Sequence, residues 1–464
     1  MLFNSWIFII FFLPIVFVVY FGLARLRYIE LARVWLAIAS IGFYAYWNVA
    51  YVPLLIGSIC WNYLWGRIIA YGKRPKVMLA IAILGNLALL GYYKYTGFFV
   101  TTINDMTGFA YEVPHIILPL GISFFTFTQT AYLVDVYRGE TKIAGETFPA
   151  YLLFVTIFPH LIAGPIINYR DMLPQFYRLR NFVINYRNLS LGISLFSMGL
   201  FKKVYIADNL SPWVSAVFNN ASDASFAEAW AGALAYTYQL YFDFSGYSEM
   251  AIGLGLMFNL QFPTNFNSPY QSKSIIDFWR RWHMALGSWV KNYLYIPMGG
   301  NRQGELCKMR NLFVSMLLIG LWHGAGWTFV LWGGLHGLFL MINHQWRRLE
   351  KKLPSIMAWS ITFLCVVIGW VFFRAVSFAD GWSIIVAMFG GSGVTWNAWH
   401  ISTDVRKVVK ILLLLTVVLA FMPNPQIIIH KFKPNKIWWV TTLAILIWAM
   451  LHFNQYSEFL YFQF

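Results

Sequence analysis

Apolar residues run in long unbroken stretches from one end of this chain to the other, separated by short polar links. The stretches are continuous rather than alternating, which is the pattern of membrane-spanning helices and not of an outer-membrane barrel. Apolar helices are predicted near residues 2–22, 33–49, 52–71, 78–98, 114–134, 149–168, 189–207, 228–258, 311–331, 333–346, 356–374, 407–423 and 437–453. Three regions depart from simple crossings. Residues 149–168 contain Pro159, Gly164 and Pro165, and Arg170, Arg178 and Arg180 follow, so a re-entrant or broken helix is expected. Residues 259–310 are semi-polar and aromatic with Pro263, Pro269 and Pro297, which predicts interfacial helices and loops packed at membrane depth. Residues 379–405 are Gly-rich and read as non-spanning. No internal repeat or low-complexity linker interrupts the series, so the prediction is an all-α polytopic protein with one domain over residues 1–464.

Composition sharpens this picture. Hydrophobic residues make up 59% of the chain and charged residues 11%, too little charge to cover a soluble protein of 464 residues. The net charge is +16, from 34 basic and 18 acidic residues. Basic residues cluster at Lys73-Arg74-Pro75-Lys76, Lys202-Lys203, Arg347-Arg348, Lys351-Lys352 and from Lys431 to Lys436, which read as links between spans. Positive-inside loops facing anionic membrane lipids account for that pattern, and no basic face for nucleic acid is expected. The links after the first and third spans are then cytoplasmic. The link at 99–113 carries Asp105 and Glu112 and no Lys or Arg, so it is external, and both termini are expected outside. Residues 2–22 lack a preceding charge and a clean cleavage site, and Arg25 and Arg27 follow, as in an uncleaved first span. Cys60, Cys307 and Cys365 are widely spaced and odd in number, so they form neither a disulfide framework nor a zinc pattern.

Residues 311–346 hold no Asp, Glu, Lys or Arg across 36 positions, and His323 sits in their middle. An ionisable side chain there is costly and marks a functional site unless it serves as a helix-to-helix hydrogen bond. Histidine is also the side chain suited to moving a proton near neutral pH. Gly324 and Gly326 beside it remove bulk, leaving room for a ligand or another backbone. His336 lies 13 residues on, about 20 Å away along one straight helix, so the two are not expected to share a site, and His336 reads as a packing residue. A second cluster is Asp277-Phe278-Trp279-Arg280-Arg281-Trp282-His283. If it is helical, Trp279 and His283 share one face, Phe278 and Trp282 the next, and Asp277 pairs with Arg281. Two arginines beside a histidine could hold a phosphate-rich ligand, or the block is an interfacial Trp/Arg anchor. The aromatic end, Phe459 to Phe464, is either an interfacial belt or a tail that folds back to present the Tyr461 hydroxyl as an acyl acceptor. No Walker loop, GxSxG elbow, HExxH or clustered carboxylates occur, while Asp135, Asp243 and Glu249 keep a proton-coupled transporter open.

Taken together, these motifs resemble the membrane-bound O-acyltransferase superfamily, in its branch of bacterial proteins that O-acetylate alginate, with relatives acting on cellulose and peptidoglycan. The resemblance covers nearly the whole chain. It runs through Met1 to Ser5, Pro119 to Phe127, Asp135 to Gly139, Leu161 to Ile166, Asp243 to Ser248, the Trp279 to His283 block, Ile296 to Arg302, Trp322-His323-Gly324 and the aromatic tail. One departure is Lys291-Asn292-Tyr293, where many relatives carry Arg-Asp-Tyr. The resemblance implies a funnel of transmembrane and re-entrant helices in the bacterial inner membrane, with a reaction centre in a central tunnel. It implies His323 and His283 as catalytic residues and Tyr461 as an acyl carrier. Trp279, Arg280, Arg281 and Trp322 are candidates for binding the donor. It further implies acetyl-CoA as donor substrate with no tightly bound cofactor or metal, and an external hydrolase-fold transferase as partner on the way to an exopolysaccharide. D-alanyl transfer to teichoic acid is the alternative within the family, and a lipid-linked sugar transporter the alternative outside it.

Overall fold

The computed structural model describes residues 1–141, 146–394, 405–421, 425–453 and 460. Among these the chain is helical, with no strand. The segments Ile7–Arg25, Val49–Tyr71, Pro75–Thr107, Tyr186–Phe218 and Ser355–Arg374 are each long and apolar enough to cross a membrane. The protein is a multi-pass membrane protein, and its helices divide into two compact units.

The first unit comprises Met1–Leu200, Tyr247–Pro263 and Lys433–Phe453. Its helices begin with α1 (Leu13–Arg25), α2 (Ile29–Ala45), α3 (Val52–Tyr71), α4 (Pro75–Leu90) and α5 (Thr96–Thr107). They continue with α6 (Ile122–Tyr137), α7 (Phe148–Thr156), α8 (Phe158–Leu161), α9 (Tyr169–Tyr177) and α10 (Tyr186–Phe201). The expected break in 149–168 is present. Helix α7 stops at Ile157 and resumes as the single turn α8 around Pro159. The Phe158 N–H released at the break donates to the Ser40 hydroxyl at 3.1 Å, so the non-helical backbone is satisfied within the protein. The segment expected to be helical over 114–134 differs at its start. Pro114, Pro119 and Gly121, the last at φ +71°, keep the chain out of a helix until Ile122.

The second unit comprises Phe201–Gly246, Thr264–Phe432 and Asn454–Phe464. It holds α11 (Asp208–Phe218), the long α12 (Phe226–Met257) as far as Gly246, and two short helices, α13 (Ile275–Trp279) and α14 (Met284–Val290). After these come α15 (Gly304–His323), α16 (Trp327–Arg348), α17 (Ser355–Arg374), α18 (Phe378–Met388), α19 (Val405–Phe421) and α20 (Pro425–Lys431), while α21 (Lys436–Leu451) returns to the first unit. Residues 259–303 form short helices and loops, as predicted for 259–310, whose last residues instead begin α15. Lys202-Lys203, in contrast, is no link between spans. Both side chains are buried, in a π-helical turn over Lys202–Ala207, and Lys203 is neutralised there by Asp208 and Asp243. A basic pair read as a loop from charge alone is paid for by two acids further along the chain.

The charge-free run 311–346 is a hairpin. Helix α15 ends at His323 because Gly324 is extended, at φ −157° and ψ 146°, and α16 starts three residues later. In lipid the hydrophobic effect does not draw helices together, so close contact between small residues has to. Here Gly320 and Gly333 supply it. A Cβ built on Gly320 would lie 2.3 Å from the Phe329 carbonyl oxygen, and one on Gly333 would lie 2.4 Å from the Met316 carbonyl oxygen. These obstacles are backbone and cannot swing aside. Gly333→Ala is therefore expected to force α15 and α16 apart, at the cost of about 1–3 kcal/mol typical of overpacking. Gly334→Ala, whose Cβ meets only the Leu317 side chain at 3.5 Å, is expected to be tolerated. Thermal unfolding of the two variants in detergent checks this, and equal melting temperatures would contradict the close packing.

Candidate active site

His323 is the last residue of α15 and is buried. Aromatic rings wall it in. Trp332 of α16 meets it edge-on at 5.3 Å, Phe373 of α17 at 5.3 Å and its neighbour Trp322 at 4.9 Å. The room left by Gly324 is taken by the Phe329 ring, which a Cβ there would meet at 2.2 Å, so that glycine serves the hairpin's own packing.

His283 reaches the same place from another direction. The Asp277 to His283 block is not one helix. Helix α13 ends at Trp279, the chain turns, and His283 adopts a left-handed conformation at φ +46° just before α14. Such a backbone is rare for a residue with a Cβ, and the surroundings fix it. The loop segment from Asn265 to Asn267 runs alongside. Met284 N–H donates to the Asn265 carbonyl at 2.9 Å, and Asn267 N–H donates to the Arg281 carbonyl at 2.9 Å. The Asn265 side chain, fully buried, does more. Its Oδ1 accepts the Ala285 N–H at 3.3 Å and the His283 Nδ1–H at 3.1 Å. Asn265 thus caps α14, whose first N–H groups have no helical partner, and grips the imidazole with the same oxygen. The Ala285 bond fixes which end of the amide is oxygen. Nδ1 of His283 is therefore the donor, and in the neutral ring Nε2 carries the lone pair. Phe244 of α12 closes the site, its ring edge-on to His283 at 4.7 Å.

The structure brings the two histidines together. Their ring centroids are 6.4 Å apart, with Trp322 6.3 Å from His283. An oxygen hydrogen-bonded to a ring nitrogen sits about 2.8 Å from it, so one oxygen can serve two rings at this spacing. The other candidates fall elsewhere. Trp279 shares no helix face with His283, because the helix ends between them. It donates its indole N–H to His336 Nδ1 at 3.3 Å. Arg281 pairs with Asp277 at 3.0 Å as the spacing predicts, Phe278 and Trp282 lie together as expected of a shared face, their rings stacked, and Arg280 is exposed. Tyr461 lies outside the described residues. The separation expected between His323 and His336 does not hold, because the hairpin folds α16 back. Both rings contact Trp332, His336 at 5.1 Å. His336 nonetheless does a packing residue's work by taking the Trp279 N–H. Asn265, Phe244 and Phe373 escaped the sequence reading. An asparagine 18 residues from the histidine, in a Pro-containing loop, carries no signal until the chain is folded. Among the described residues no three His, Cys, Asp or Glu side chains are grouped to hold a metal ion.

Replacing Asn265 by Leu would leave two buried donors, the His283 Nδ1–H and the Ala285 N–H, without their acceptor, at about 1–3 kcal/mol each. Asn265→Asp keeps an acceptor oxygen in place. The Leu variant is expected to melt several degrees lower than the Asp variant in detergent, and indistinguishable melting would show that the contact holds nothing.

Comparison with known proteins identifies the family. The profile of the membrane-bound O-acyltransferase family matches residues 145–379, a span that includes Asn265, His283 and His323. The chain is 40% identical to a peptidoglycan O-acetyltransferase of Helicobacter pylori, over 100% of this chain and 98% of that protein. It is 43% identical to a probable alginate O-acetylase AlgI of Pseudomonas aeruginosa, over 91% of this chain and 80% of that one. It is 28% identical to a teichoic acid D-alanyltransferase of Bacillus subtilis, over 57% of this chain and 71% of that one. With its two buried histidines set on a scaffold of membrane helices, the chain belongs to the membrane-bound O-acyltransferase family and is an O-acyltransferase.

Proposed function

We propose that this enzyme moves acetyl groups from cytoplasmic acetyl-CoA, through the membrane, to an external acceptor that serves O-acetylation of a cell-surface or secreted polysaccharide. The observation that carries the reading is the pair of buried imidazoles 6.4 Å apart. His323 acts as general base on the acceptor hydroxyl. The hydroxyl oxygen attacks the thioester carbonyl, a C–O bond forms, the C–S bond breaks, and the proton passes through His323 to the departing thiolate. His283, held in one tautomer by Asn265, positions the acyl group or extends the proton path. Trp322 lies against both rings and serves as a wall for the donor. The hydroxyl is that of Tyr461, from which the acetyl group passes outside the membrane to a hydrolase-fold partner and then to the polymer.

The relatives' names support acetyl as the group transferred and a polysaccharide such as alginate or peptidoglycan as its destination. The D-alanyltransferases are less similar and match a smaller part of the chain, which supports acetyl over D-alanyl transfer. Labelled acetyl-CoA offered to the purified protein in vesicles distinguishes the two by whether its thiol is released. His323→Ala is expected to lower polysaccharide O-acetylation by about a hundredfold or more, the usual scale for a general base. Retained O-acetylation in a variant that melts like the wild type would overturn the assignment.

A further inference from the structure

In the first unit a cleft of about 370 Å³ lies between α3 and α4, within the size range of small-molecule sites. Pro53, Leu54 and Leu89 give it apolar walls, and Trp61 adds an aromatic one. The indole can lie against α4 because of Gly85, where a Cβ would meet the Trp61 ring at 2.6 Å. Gly57 keeps the cleft open, since a Cβ there would meet nothing within 4 Å. The helix faces around it suit lipid. Leu64, Leu84 and Leu87 are exposed, and both helices belong to segments apolar enough to cross a membrane.

Two polar side chains interrupt this apolar lining. Ser58 and Asn86 both line the cleft and both are buried. Asn62 and Asn86 form a reciprocal amide pair, each Nδ2 donating to the other's Oδ1, at 2.9 and 2.7 Å. Asn62 gives its second N–H to the Ser58 carbonyl at 2.9 Å. Asn86 has a second N–H too, and no acceptor among the described residues takes it. Ser58 is in the same position. Gln129 Oε1 accepts the Tyr151 hydroxyl at 3.4 Å, so its Nε2 faces Ser58 and donates to Oγ at 2.9 Å. The Ser58 oxygen is therefore an acceptor there, and its own O–H proton is left to give among the described residues. Lipid supplies no water to a buried donor, and a donor without an acceptor is costly in an apolar medium. The cleft thus calls for an apolar ligand that carries an acceptor oxygen.

We propose that this cleft is a binding site for a diacyl phospholipid. One acyl chain lies along Leu54, Trp61 and Leu89, and its ester carbonyl accepts from the Ser58 O–H and the Asn86 N–H. The two donors select this occupant. A bare hydrocarbon tail, or the apolar face of a neighbouring helix, would fill the cleft and leave both donors unmet. The ester carbonyl is the acceptor that a diacyl phospholipid carries at the head of each chain, next to the hydrocarbon that the walls receive.

Gly57→Leu puts a side chain into the cleft without meeting a neighbour, so the variant is expected to fold. The full-length protein in mixed micelles is irradiated with a phosphatidylethanolamine that carries a diazirine on one acyl chain, and labelled peptides are read by mass spectrometry. Wild type is expected to label within residues 53–61 and 85–89 several-fold above the exposed Ile15 and Val18 of α1. Gly57→Leu is expected to lower the cleft labelling about tenfold and to leave that of α1 unchanged, as filling a site does. Unlabelled diacyl lipid is then set against its diether analogue, which has the same chains and no ester carbonyl. The diacyl form is expected to compete about two- to tenfold better, the scale of a neutral hydrogen bond. Cleft labelling no higher than that of α1, or unchanged in Gly57→Leu, would overturn the site. Equal competition by the two lipids would overturn the ester carbonyl as its ligand.

Discussion

The bond from His283 Nδ1–H to Asn265 Oδ1 is the contact on which the rest of the site depends. A lone imidazole in an apolar interior has neither a fixed tautomer nor a fixed orientation. Asn265 provides both, and it does so while capping α14, so the helix and the histidine are set by the same amide. The left-handed backbone at His283 is the consequence. It turns the chain sharply enough for the ring to leave the line of α13 and face His323. Without that turn the Trp279 to His283 block would be one helix with its histidine on Trp279's face, and Trp279 goes instead to His336.

The second histidine is placed by the packing around it. Helices α15 and α16 approach so closely at Gly320 and Gly333 that no Cβ fits between them. That contact brings Trp332 alongside the end of α15, and Trp332, Phe373 and Trp322 then fix His323 by its edges. Aromatic walls of this kind exclude water, and charge developing beside His323 is stabilised by few, fixed partners.

What could be read from the sequence was what depends on local pattern. A histidine in a charge-free apolar run is conspicuous because membranes rarely tolerate one, and His323 stood out for that reason. The Asp277–Arg281 pair and the shared face of Phe278 and Trp282 followed from helical spacing, which the turn after α13 preserves as far as Trp282. Three things did not follow, and each depends on contacts distant in sequence. Asn265 is an ordinary loop asparagine until it meets His283. His336 was set apart from His323 by assuming a straight helix, and the turn after Gly324 removes that assumption. Lys202-Lys203 looked like a link between spans because the acids that neutralise Lys203 include Asp243, forty residues later. Charge counted along a chain cannot see a partner supplied by another helix.

The central claim is that His283 and His323 work on one acyl group as a single unit. A double-mutant cycle tests it most directly. Thiol release from acetyl-CoA is measured for wild type, His283→Ala, His323→Ala and the double variant, each reconstituted in vesicles. The account predicts that the double variant is hardly slower than the worse single variant. Losses that multiply independently would contradict it, and would mean that the two rings, although 6.4 Å apart, serve separate steps.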